Sequence, residues 1–102
     1  MTILAAFTAT LLVTVWPHGL DGPSTRHRVV CPGASACAQL QRVGRGAFAP
    51  VPPDAMCTEI YGGPRRALVA GSLAGRRVWA RFSRSDGCQI ARWSRLAFLL
   101  RA

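Results

Sequence analysis

The side chains able to do chemistry are few: two histidines (His18 and His27), four acids (Asp21, Asp54, Glu59 and Asp86) and four cysteines. The histidines are far apart in the chain, and His27 stands among arginines, so no base and nucleophile pair emerges and catalysis is not expected. The chemistry concentrates instead in one stretch, Asp54-Ala55-Met56-Cys57-Thr58-Glu59-Ile60-Tyr61-Gly62-Gly63-Pro64. Pro50, Pro52 and Pro53 stiffen its entry, and Gly62, Gly63 and Pro64 end it, so neither flank can enter a regular helix or a central strand. Between them a cysteine, two β-branched residues, a carboxylate and an aromatic read as an extended, exposed loop tied down at one point by sulfur. A loop already held in the shape a protease imposes on its substrates loses little conformational entropy on binding. Substrate-like inhibition is therefore the activity this stretch points to.

The cysteines set the compartment. Cys31 and Cys37 are close, Cys57 and Cys88 far apart, and an even number in a small chain reads as two disulfides formed in an oxidising compartment. Three pairings are open on this count. A four-cysteine zinc site fits poorly, because ligand pairs are usually separated by about two to four residues and neither gap here matches. No metal and no cofactor are expected.

The net charge is +9, carried by thirteen arginines in a chain without lysine. So basic a chain raises a nucleic-acid reading. The arginines are scattered with no run longer than two, which favours a solvated surface and no nucleic-acid partner. Met1 to Trp16 is nearly continuous in apolar residues and threonine, but sixteen residues fall short of the roughly 20 that span a bilayer, and Pro17 ends the run. No membrane span is expected. The stretch divides into residues 1–9, a partial or mis-started export segment without a basic start, and a first strand over Leu11 to Trp16.

One domain, residues 10–102, must position the loop. After the first strand, Pro17 to Pro23 is a turn and Thr25 to Cys31 a second strand. Ser35 is the expected N-cap of a helix over Ala36 to Val43, which Gly44 and Gly46 stop before Phe48 plugs the core. Past the loop, Arg66 to Ala70 and Arg77 to Phe82 read as strands joined by a turn at Gly71 to Gly75. In the second, Val78, Ala80 and Phe82 face one way and Arg77, Trp79 and Arg81 the other, with an arginine placed to stack on Trp79. Gln89 to Arg95 is a short helix, and Leu96 to Leu100 reads as a closing strand. The expected class is α+β: a five-stranded antiparallel sheet with two short helices packed on one side and two disulfides.

Met56-Cys57-Thr58-Glu59-Ile60-Tyr61 resembles the reactive loop of the Streptomyces subtilisin inhibitor family, whose pattern is Met-Cys-Pro-X-Val-Tyr. Ser35-Ala36-Cys37-Ala38-Gln39-Leu40, the order of the cysteines and the turn Gly75-Arg76-Arg77-Val78 extend the likeness over Leu11 to Leu100. The resemblance implies a secreted, extracellular serine protease inhibitor with the same α+β fold and disulfides Cys31–Cys37 and Cys57–Cys88. It also implies a reactive bond between Glu59 and Ile60, and protease contacts through Met56, Cys57, Thr58, Tyr61 and Gly62. A homodimer formed through the outer face of the sheet is implied as well.

Three departures bear on the target. The family's usual residue before the reactive bond is methionine, lysine or arginine, and Glu59 is a carboxylate, which needs a positive or hydrogen-bonding specificity pocket. Thr58 replaces proline, and Gly62-Gly63-Pro64 replaces Asp-Pro, so both sides of the bond lose stiffness. The partner implied by the resemblance is a subtilisin-like or trypsin-like serine protease, and Glu59 adds a glutamate-specific one. The competing reading is a secreted cationic module that binds anionic polymers or surfaces, with an affinity that falls with salt and survives mutation of Glu59.

Overall fold

The computed structural model describes residues 7–101. Strand β1 (Ala9–Trp16) pairs antiparallel with β2 (Thr25–Cys31) on one side and β3 (Arg66–Leu73) on the other, and β4 (Arg76–Phe82) closes the far edge. The order is β2-β1-β3-β4. Helix α1 (Cys37–Val43), a 3-10 turn over Arg45–Phe48 and helix α2 (Gly87–Arg95) complete the elements. The fold is α+β, held by disulfides Cys31–Cys37 and Cys57–Cys88.

The period-two pattern of the strands decides which face is buried. Leu11, Val13 and Val15 of β1, Val29 of β2, Ala67 and Val69 of β3, and Val78, Ala80 and Phe82 of β4 form an inner face. Leu40, Phe48, Trp93, Leu96, Leu99 and Leu100 cover it. Phe48 meets Phe82 edge-on, ring centroids 6.3 Å apart, so the expected plug is in place. Alternate residues remain on the other face, where the Arg81 guanidinium lies 4.6 Å from the Trp79 ring centre.

Four expectations change. Among the described residues the sheet has four strands, because Leu96 to Leu100 turns rather than extends: the Leu99 and Leu100 amides both donate to the Leu96 carbonyl. The buried positions Leu96, Leu99 and Leu100 follow helical spacing, which seals the core without edge pairing. Ser35 does not cap α1. The N-cap is Ala36, already in right-handed helical geometry and without a side-chain cap, because the short Cys31–Cys37 loop delivers the chain into the helix through tight turns. The β3–β4 connection shrinks to Ala74 and Gly75, whose φ angles of 50° and 79° match the mirror-image turn that the strand twist favours. Finally, β1 begins at Ala9, while residues 1–6 of the expected export segment lie outside the described residues.

Arg92 fastens α2 to the rest of the domain. Its guanidinium donates to the carbonyls of Ala49 (2.8 Å), Phe48 (2.9 Å) and Arg81, and lies 4.1 Å from the Phe82 ring centre. Burial pushes its pKa below the usual arginine value.

Candidate functional site

The loop from Pro50 to Arg65 carries no helix or strand, so other parts of the chain must give it shape. They do so at two places. On the N-terminal side Cys57 is bonded to Cys88 in α2, with Cα atoms 5.3 Å apart, and the Thr58 carbonyl accepts from the Gly87 amide at 2.9 Å. On the C-terminal side the Gly62 amide donates to the Arg84 carbonyl at 2.7 Å, and Arg84 Nε donates back to the Gly62 carbonyl at 3.2 Å. Both anchors belong to one short segment, the β4–α2 connection and the first turn of α2.

That segment is itself fixed locally. The Asp86 carboxylate caps α2 by accepting from the Gln89 amide at 2.9 Å, and the Arg84 guanidinium sits 5.8 Å from the Trp93 ring centre. Two glycines let loop and support approach closely. A Cβ on Gly87 would lie 1.9 Å from Thr58 Oγ1, and one on Gly62 would lie 2.9 Å from Ile90 Cδ1. Contacts this short exclude any larger residue unless the partner moves.

Between the anchors the side chains are free. Glu59, Ile60 and Tyr61 are exposed, as is Thr58 at the foot of the arch, and Met56, ahead of the Cys57 anchor, is 98 % exposed. The bond between Glu59 and Ile60 thus lies in a short exposed arch whose feet are Thr58 and Gly62. Cys57 and Gly62, also expected to meet a protease, are half-buried and occupied by the anchors.

Cys57, Asp86 and Cys88 bring three potential metal-ligand atoms within 4.8 Å of one another. The two sulfurs are bonded to each other and Asp86 Oδ1 caps α2, so the cysteines offer no thiolate to a metal. His18 lies in the β1–β2 connection and His27 in β2.

Sequence reasoning found the loop and its sulfur anchor but missed Arg84, Gly87 and Ile90. In the sequence Asp86-Gly87 carries no signal beyond that of a turn, and nothing marks Arg84 out from the other arginines. No helix among the described residues is long and apolar enough to cross a membrane. A scan against protein-family models, a search of curated proteins and a search of solved structures each return no match.

Proposed function

We propose that the protein is a secreted serine protease inhibitor, similar to the Streptomyces subtilisin inhibitors, that offers the Glu59–Ile60 bond as a substrate-like target. One observation carries this reading: the bond is exposed, while Thr58 before it and Gly62 after it are both tied to the same support. A protease that engages the arch through Met56 to Glu59 adds it as an extra strand, main chain to main chain. Glu59 fills the specificity pocket. Burying an ionised carboxylate without a partner costs at least a few kcal/mol, so the enzyme that accepts it is a glutamate-specific protease rather than one with an apolar pocket. Two disulfides suit an oxidising, extracellular setting.

The test is a titration of the oxidised chain and of Glu59→Met against a glutamate-specific protease, a trypsin-like enzyme and subtilisin. The expected result is stoichiometric inhibition of the first by the wild-type chain, with Glu59→Met moving inhibition to subtilisin. Lack of inhibition by either chain overturns the reading.

A further inference from the structure

Opposite the covered face, the sheet carries a pattern that protease inhibition does not use. Its register places Arg28, Leu12, Ala70 and Trp79 in one row across the four strands. The neighbouring rows run Arg26, Thr14, Leu68 and Arg81, then Val30, Thr10, Ser72 and Arg77. Arg66 pairs with Trp16 at the end of the face. Directly paired residues share a face, so arginine lines both edge strands, β1 presents only apolar and hydroxyl side chains here, and Arg66 adds a charge at one end of β3. None of the four strands contains an acid. The surface also holds a concentration of exposed apolar side chains: Trp79 is 58 % exposed, Val30 46 % and Leu12 39 %, and Leu20 (62 %) lines a groove with Trp79 and Trp16.

We propose that this face docks the protein on an anionic phospholipid surface. Two properties need a partner, the excess positive charge and the exposed apolar side chains interleaved with it, and a lipid surface answers both. Arginines on the rim reach lipid phosphates, while Trp79, Leu12 and Val30 enter the headgroup boundary, where indole rings partition favourably. The homodimer that the family resemblance implies would use this same face, but stacking two copies by two-fold symmetry brings arginine-bearing edges together with no strand carboxylate to pair them. A soluble polyanion satisfies the arginines but leaves Trp79, Leu12 and Val30 in water. Docking is independent of the inhibitor reading, since none of these residues belongs to the loop or its anchors.

The experiment is co-sedimentation of the oxidised chain with vesicles of phosphatidylcholine alone and of phosphatidylcholine mixed with phosphatidylglycerol, with tryptophan emission recorded on binding. Expected are binding to the mixed vesicles only, weakening as salt rises, and a blue shift of emission that Trp79→Ala removes. The double variant Arg28→Gln with Arg77→Gln, one change on each edge strand, is expected to bind about 30-fold more weakly, whereas lysine at both positions keeps most of the affinity. Circular dichroism unchanged from wild type ties that loss to the surface rather than to the fold. The proposal is overturned by equal binding to both vesicle types, by absence of binding, by polyphosphate binding at least as tight as binding to the mixed vesicles, or by a dimer that Trp79→Ala dissociates.

Discussion

Replacing Gly87 by alanine sets two effects of opposite sign against each other. Gly87 opens α2, and exchanging glycine for alanine inside a helix usually stabilises it by up to about 1 kcal/mol. Here the new Cβ would lie 1.9 Å from Thr58 Oγ1 and 3.2 Å from Thr58 Cβ, so the loop must retreat or the threonine must turn. Retreat loses the Gly87–Thr58 hydrogen bond, worth about 1 kcal/mol, and crowding of this kind typically costs about 1–3 kcal/mol. The crowding wins, and Gly87→Ala is expected to destabilise the domain by about 1–2 kcal/mol, net of the helix gain. Urea unfolding of four proteins measures it: wild type, Gly87→Ala, Thr58→Ala and the double variant. Removing the hydroxyl and methyl of Thr58 relieves the shortest contact, so the cost of Gly87→Ala should fall below about 0.5 kcal/mol in that background. If Gly87→Ala stabilises the wild-type chain, or costs the same in both backgrounds, the close approach of loop and helix has been misjudged and the N-terminal anchor fails with it.

Arg92→Met strands the partly buried Phe48 carbonyl and gives up two exposed hydrogen bonds, to the Ala49 and Arg81 carbonyls, and is expected to cost about 2 kcal/mol in urea unfolding. Arg92→Lys should recover less than half of that loss, because an ammonium cannot present three donors in the plane of a guanidinium. Replacing Cys57 and Cys88 together by serine opens a loop with a sequence separation of 31, for which chain entropy gives about 3.7 kcal/mol. The same change at Cys31 and Cys37, separated by 6, gives about 2 kcal/mol and should leave inhibition at saturating enzyme intact, whereas loss of the first pair should abolish it. Ala74 holds φ at 50°, so Ala74→Asn is expected to raise the thermal midpoint by a few degrees, equivalent to about 0.5 kcal/mol.

How far the chain could be read depended on whether a signal was local. The alternation in Arg77 to Phe82 separates buried Val78, Ala80 and Phe82 from exposed Trp79 and Arg81 without knowledge of any other segment. The same holds for the Cys37 helix and its Gly44 stop. Leu96 to Leu100 misled because a short apolar run supports a strand or a buried turn equally. Only the chain's exit from α2, with Leu96 following Arg95 directly, decides for the turn. On the site, the exposed half was legible and the supporting half was not. Met56 to Tyr61 carry their pattern in six consecutive residues, whereas the Arg84 contact to Gly62 joins positions 22 apart and comes from an arginine with no local mark.

Those two anchors also bear on whether a cut arch comes apart. Hydrolysis between Glu59 and Ile60 leaves a new carboxylate one residue beyond the Thr58 foot and a new amine two residues before the Gly62 foot. A residue reaches at most about 3.5 Å, so neither end strays far while its anchor holds. Ends held this closely meet at the high effective concentration of an intramolecular reaction, which favours resealing in the protease's grip over release. The stiffness that Thr58 and Gly63 lack beside the subtilisin inhibitor pattern the loop resembles is supplied from below, by Cys88, Gly87 and Arg84. The inhibitor reading therefore stands on the β4–α2 connection as much as on the loop: a substrate with the same exposed residues but without that support is cut and released.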